Sequence, residues 1–572
     1  MSWQVKEKAD SNFIASFPEL NEITLQLLFN RGLITKKEID DFLDSSYEDL
    51  LDPYLFKDME QAVERFIKSI SEHQKIMVYG DYDADGVCST SALYLTVKAL
   101  GGDVDTYIPF REGEGYGLNK KVVQSIIDQK FDLVMTVDCG VSNVEEIKEL
   151  KEAGIDTIVL DHHQEPLELP PALAIIDPSV KSGGYPFTYL CGAGVVFKFV
   201  SALIIWLEKN DFPLRLPVGF EKWLLDIVAI ATVGDIVPLI GENRIIVKYG
   251  LKVIEKTRNY GLKKLIESIN FKSFTFDSEY LGWRIVPRLN AAGRINHASA
   301  SFYLLTAKDE SEAEKYVAML EESNKSRQQI TEKLMAKAEL EISKTDEADK
   351  ILIITGDSWP AGVLGLVAGR MSDRHYKPVL VFSYEQGRYV ASGRSIPEFD
   401  ITSALKKCDQ FLLKYGGHPQ ACGLTIEGEA NFNNFKEKIS RLAKKELEGV
   451  ELTPKLEIEA EIRLDQVNWT LYDDLVKFEP FGEKNEKPLF ALRQLVVEQI
   501  QSCGADGKHL RVMVSQNGDL NNLHKIIGFS FGEWCAKLKS GDMIDIVFEL
   551  GVNEWNGNRE LQLKLVDLKL SE

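Results

Sequence analysis

The chain has no C-x-x-C pair among its seven cysteines, no internal repeat and no low-complexity tract. The missing thiol pairs argue against structural zinc and fit a reducing compartment. No apolar run approaches the ~20 uncharged residues of a membrane span. The best candidate, residues 195–207, is too short and carries Lys198. The opening Met1-Ser2-Trp3-Gln4-Val5-Lys6 lacks the basic-then-apolar layout of a secretory leader, so the expectation is a cytoplasmic protein with no membrane partner. Basic charge is also short: 67 Lys and Arg stand against 88 Asp and Glu, a net charge of −21. That balance speaks against a broad nucleic-acid surface, although a confined basic groove can coexist with an acidic exterior.

What is present is ordinary globular material, 44% apolar and 27% charged, in a chain long enough for about three or four domains. Residues 1–70 read as a helical segment, with amphipathic spacing at 21–28. From 71 to 306, β-rich runs at 76–79, 104–108, 133–137 and 157–160 alternate with helical periodicity, which predicts an α/β unit with a parallel sheet. Residues 307–345 contain no Gly or Pro and read as a long connecting helix. A second α/β unit is expected over 346–452, with strands at 350–354 and 378–382. Residues 453–572 alternate as short strands, the pattern of a small β barrel such as an OB-fold.

The chemistry concentrates at Gly80-Asp81-Tyr82-Asp83-Ala84-Asp85-Gly86, directly after the apolar run 76–78. Buried like charge needs a counterion, and a hard divalent cation is the usual one. The run also matches the opening of an EF-hand loop, but that loop needs a glutamate at its twelfth position, which is Ala92 here, and a helix where a strand is predicted. Acids recur at the ends of two further strands, as Asp138-Cys139-Gly140 and as Asp161-His162-His163. A single strand-end Asp is commonly a turn former or helix cap. Parallel strands, however, deliver all three ends to one edge of the sheet. Asp235, after an apolar helix, adds a fourth acid. Carboxylates with one or two imidazoles suit Mn²⁺ or Mg²⁺ better than zinc.

In order, the 80–86 run, Asp138-Cys139-Gly140, Asp161-His162-His163 and Gly234-Asp235-Ile236-Val237-Pro238-Leu239 resemble the motifs of the DHH phosphoesterases, named for that triplet. Within the superfamily they resemble the RecJ family of single-strand-specific exonucleases. Pro287-Arg288-Leu289-Asn290-Ala291-Ala292-Gly293-Arg294, Ser392-Gly393-Arg394-Ser395 and Gly416-Gly417-His418 resemble the accessory DHHA1 domain. The stretch from Pro480-Phe481-Gly482 to Pro488-Leu489-Phe490 resembles the approach to the family's OB-fold. The resemblance covers nearly everything from Lys75 onward.

It implies Asp83, Asp85, Asp138, His162 and Asp235 as ligands of two divalent ions, with His163 touching substrate phosphate or orienting the cluster. It implies a 5′-phosphate pocket at Arg111, Ser392 and Arg394, and a cleft lined by Arg288, Asn290, Arg294 and His418. The activity implied is 5′→3′ digestion of single-stranded DNA to mononucleotides by a monomer serving repair and recombination. A single-strand-binding protein and a RecQ-type helicase are implied as partners. One departure stands out: Tyr79 occupies a position where many relatives carry histidine. The barrel offers Trp469, Phe529, Phe531 and Trp555 as stacking candidates, most of them expected in its core. Two other readings remain: a phosphodiesterase of very short RNA or dinucleotides, and a catalytically dead scaffold. The barrel speaks against the first and the intact acids against the second.

Overall fold

The structure is a computed structural model that describes residues 2–111, 113–269, 276–343, 346, 348–504, 506–555 and 558–571. A short strand, β1 (Ser2–Val5), opens the chain and is followed by the helices Ser11–Ser16, Glu22–Asn30, Lys36–Leu43 and Met59–Ser71. These helices serve two cores. Phe17, Leu25, Leu27, Leu28 and Ile39 pack with the C-terminal barrel, whereas Met59, Val63, Phe66 and Ile70 pack with the first α/β sheet.

That sheet contains β2 (Lys75–Tyr79), β3 (Asp103–Tyr107), β4 (Leu133–Val137), β5 (Asp156–Leu160) and β6 (Ala174–Ile176), in the order β3-β2-β4-β5-β6. Every pairing is parallel. Central β4 is buried along its whole length, as its unbroken Leu-Val-Met-Thr-Val requires when helices cover both faces. The four expected strands are present; β6 is additional.

The helix Glu310–Ile342 spans 33 residues, roughly 50 Å at 1.5 Å per residue. Val317 and Leu320 anchor its first half in the core of the first sheet, and Leu334 and Ala338 anchor its second half under the next one. The second sheet is mixed: β7 (Leu352–Asp357), β8 (Val379–Glu385), β9 (Arg388–Arg394), β10 (Lys414–His418) and β11 (Ala421–Glu427) lie in the order β10-β11-β9-β8-β7, with only β7 and β8 parallel.

β12 (Lys455–Ile458) pairs in parallel with β1, tying the start of the chain to its last third. β13 (Ala460–Glu461), β14 (Leu489–Cys503), β15 (His509–Gln516), β16 (His524–Gly528), β17 (Met543–Trp555) and β18 (Asn558–Leu570) follow. Their pairings run β14-β15-β16-β18-β17 and return from β17 to β14, the connectivity expected of an OB-like sheet. Among the described residues, no helix is long and apolar enough to cross a membrane.

Candidate metal centre and phosphate cleft

The carboxyl ends of β2, β4 and β5 lie on one edge of the first sheet, and the acids that follow them meet there. His162 Nε2 sits 3.1 Å from Asp138 Oδ1 and 3.7 Å from both Asp85 Oδ2 and Asp235 Oδ2. Three overlapping groups have ligand atoms within 4.8 Å of one another: Asp138, His162 and His163; Asp85, His162 and Asp235; Asp81, Asp83 and Asp138. All five acids and imidazoles expected as ligands therefore converge. Asp81, outside the expected ligand set, joins them.

Local structure fixes these side chains. Asp83 is the N-cap of the helix Ala84–Ala99, accepting from the Asp85 and Gly86 amides at 3.0 and 3.1 Å, a cap worth about 1 kcal/mol. Asp85 accepts from the Gly192 and Ala193 amides at 2.6 and 2.8 Å, at the start of the helix Gly192–Lys209, where the helix dipole favours negative charge. A side chain at Gly192 would fall 2.6 Å from Asp138 Cβ, so glycine permits this approach. Asp138 itself takes φ +58°, a strained conformation that aims its carboxylate at His162. Asp161 is fully buried and accepts from the Val141 and His162 amides and from His163. His163 Nδ1 is 2.8 Å from Asp161 Oδ1 and 2.9 Å from the Tyr116 hydroxyl.

Electrostatics favour a positive partner for these acids. Burial, reinforced by neighbouring aspartates, pushes the Asp81, Asp138 and Asp235 carboxyls well above the ordinary range. Burial also raises Asp85 and lowers His162. Against the pull of burial, the hydrogen bond to Asp161 lifts His163 to about 9. Asp81 Oδ1 is buried with no hydrogen-bond partner. Oxygen-rich donors held at mutual repulsion fit a hard divalent cation. Thiolates do not contribute: the buried Cys139 and Cys191 point to the Tyr79 carbonyl and to Thr232.

Tyr79 is no ligand. It is fully buried on the face of β2 that packs with Leu118 and Val123, and its hydroxyl donates to the Gly117 carbonyl at 2.9 Å.

The helix Val286–Ile295 closes the edge. Asn290 Oδ1 accepts from the Ala84 amide at 2.8 Å, so it braces the acidic loop. Arg294 donates to the Gly362 carbonyl at 3.0 Å, where the helix Ala361–His375 of the second domain begins. Arg111 stacks over Tyr82 at 4.2 Å, with its Nε buried and unpaired. Arg394, on β9, donates to Ser392 Oγ at 3.3 Å and to the Gly393 carbonyl at 2.7 Å. Burial and the charges of Arg111, Arg327 and Arg394 lower Arg294 to about 10, so these guanidiniums crowd one region. Arg288 is already paired, 2.7 Å from Glu321 of the long helix. His418 lies exposed on β10, on the same rung as Arg394 through Ala421.

In the barrel, Phe529 is exposed beside His509 at 5.3 Å, and Arg559 lies 5.4 Å over Trp469. Phe531 is half-buried against the barrel core. The Trp555 side chain lies outside the described residues.

Family models match in three places: the N-terminal domain of the DHH family over residues 75–232, the DHHA1 domain over 348–445 and the RecJ OB domain over 458–567. The single-stranded-DNA-specific exonuclease RecJ of Bacillus subtilis is 34% identical, across 100% of this chain and 71% of that protein. The chain belongs to the RecJ family. The Haemophilus influenzae RecJ is 32% identical over 92% of both chains, and the Escherichia coli RecJ is 31% identical over 95% of both. The crystal structure of Thermus thermophilus RecJ in complex with Mn²⁺ superposes with a TM-score of 0.82 at 28% identity, covering 100% of this chain and 80% of that one. A Mg²⁺ complex of the same RecJ superposes with a TM-score of 0.75.

Three contributors to the site escape the sequence reading. Asp81 was placed outside the ligand set, yet its carboxylate lies within it. Tyr116 gives no motif signal. Asp177 follows β6, is almost fully buried and accepts from the Ser179 amide, while the Ser179 hydroxyl donates to the His162 carbonyl. It too is an acid at a strand end, but a three-residue strand leaves no pattern to find it by.

Proposed function

We propose that this RecJ-family protein is a metal-dependent exonuclease that removes 5′-mononucleotides from the 5′ end of single-stranded DNA. The observation that carries the reading is the convergence of Asp83, Asp85, Asp138, His162 and Asp235 beside a cleft holding Arg111, Arg294 and Arg394. Two Mn²⁺ or Mg²⁺ ions held by these acids and by His162 would supply an activated water and stabilise developing charge on the phosphate oxygens.

The chain's own residues do the rest. Arg111, Ser392 and Arg394 offer planar and hydroxyl donors for a terminal phosphate, which is how an enzyme recognises an end. Arg294 adds positive charge next to Asp83, at the place of the bond to be cut. His163, hydrogen-bonded to Asp161 through Nδ1, faces the same edge and can donate to a phosphate oxygen. Asn290 keeps the Asp83 loop in register. Single-strand selectivity agrees with a confined group of arginines in a chain of net charge −21. The partners that the family resemblance supplies for this reading are a single-strand-binding protein and a RecQ-type helicase, with roles in repair and recombination. Seven unpaired cysteines suit a reducing cytoplasm.

The test uses Mn²⁺ with 5′- and 3′-labelled oligomers. Immediate release of the 5′ label as mononucleotide, with the 3′ label retained in shortening fragments, is expected. Cleavage of dinucleotides alone, or release from the 3′ end first, overturns the reading.

A further inference from the structure

Arg327 sits midway along the helix Glu310–Ile342, between the halves that anchor in the two cores. The helix carries eight glutamates, yet none stands three or four residues from Arg327, where a solvated helix would place its ion-pair partner. Those positions hold Ser323, Asn324, Ile330 and Thr331. The side chain is half-buried; one terminal nitrogen donates to Asn324 Oδ1 at 2.9 Å, and Nε is buried without a partner. Asn324, itself buried, therefore orients a guanidinium that no carboxylate among the described residues pairs with.

Its neighbours are cations. Arg327 is depressed by burial and by the charges of Arg370 and Arg288, and it in turn depresses Arg294. Glu321 neutralises Arg288. Arg394, Arg111, Arg294, Arg327 and Arg370 are neighbouring guanidiniums that form no ion pair among the described residues. Glu332 and Asp373 border the groove that Arg370 lines, so the positive group ends there. Arg111, Arg294, Arg327 and Arg394 are half-buried and Arg370 is exposed; like charge gathered in this way is maintained against repulsion, and a polyanion with repeated phosphates is the ligand that relieves it.

We propose that Arg327, with Arg370 beside it, seats the third and later phosphates of a bound single strand. This rests on the exonuclease reading above. The count follows from that reading: the terminal phosphate occupies the pocket at Arg111, Ser392 and Arg394, the scissile phosphate lies at the acidic edge, and a strand longer than two nucleotides must place its next phosphate elsewhere.

The experiment compares kcat/KM on a 5′-phosphorylated 12-mer and on a 5′-phosphorylated dinucleotide, which has only the terminal and scissile phosphates. R327Q should cost about tenfold on the 12-mer, expressed in KM, and less than about twofold on the dinucleotide. R327K should recover part of the loss, and K325Q, the same charge change on an exposed position of the same helix, should cost nothing. The salt dependence of 12-mer binding should lose about one unit of slope in R327Q. Equal losses on both substrates, or an unchanged 12-mer KM and salt slope in a variant with a normal melting curve, overturn the proposal. A wild-type protein that degrades neither substrate overturns the exonuclease reading itself.

Discussion

At the carboxyl edge of β2, β4 and β5, buried Asp138 has both Asp81 and Asp85, themselves buried, as neighbouring charges. Beside them, where the two α/β domains meet, Arg111, Arg294, Arg327 and Arg394 crowd in the same way. The acids and the arginines could neutralise each other, and among the described residues they form no ion pair. Lys198 and Glu242 show the alternative. They form a direct buried ion pair, completed by the Leu51 amide and carbonyl and by the Tyr185 hydroxyl, so every charge there has its partner in the chain. The difference separates structural charge from working charge: a buried ion pair holds the fold, whereas segregated like charges wait for a cation on one side and phosphates on the other.

The sharpest way to break this contrast is to remove one acid. D138N keeps a residue type that tolerates φ +58° and should lower nuclease activity about a thousandfold or more, the several kcal/mol expected of a metal-ligand loss. In chelator-treated protein the same substitution should raise the melting temperature at pH 8 and change it little near pH 4. The sign follows from the raised Asp138 carboxyl. The folded state retains a proton that the unfolded state sheds, so stability falls as pH rises through the window above the unfolded carboxylate value, and the cost is fully present at high pH. An unchanged melting temperature at pH 8 would mean that the acids do not strain the metal-free fold.

Breaking the paired charges should do the opposite. E242Q leaves Lys198 buried without its counter-ion and should cost about 3–5 kcal/mol in urea unfolding. With Mn²⁺ present, the protein that remains folded should keep its kcat. Next in size, R394A should reduce the preference for 5′-phosphate over 5′-hydroxyl ends by about 10- to 100-fold, the loss of one charge-assisted contact. An unchanged ratio removes Arg394 from the terminal pocket. The smallest effect belongs to Tyr79. Y79F deletes one buried hydrogen bond and should cost about 1 kcal/mol of stability with activity near wild type. A large loss of activity would return Tyr79 to the metal centre.

Much of the site was legible because parallel strands share a direction. Once 76–79, 133–137 and 157–160 read as strands, Asp83, Asp138 and His162 had to meet at one edge, and they do. The departures have local causes. The first 70 residues read as a helical segment because amphipathic spacing does not say which core receives it; the fold divides them between two, and Ser2–Val5 becomes a strand only by pairing with Lys455–Ile458. Tyr79 looked like an altered ligand position, but strand alternation turns its ring to the packed face of β2. Arg327 is indistinguishable in sequence from any arginine on a charged helix until the helix is seen to bridge two cores. Arg288, by contrast, looked available and is held by Glu321, from an element 33 residues away.

By itself the sequence determined the class of chemistry: clustered carboxylates after apolar strands, two adjacent histidines and thiols in no metal-binding spacing specify a hard-cation site whatever the fold around them. Tertiary structure alone decided which charges are spent. Pairing depends on distances between elements remote in the chain, and among the described residues those distances leave Arg111, Arg294, Arg327 and Arg394 without a carboxylate ion pair while giving Lys198 and Arg288 theirs.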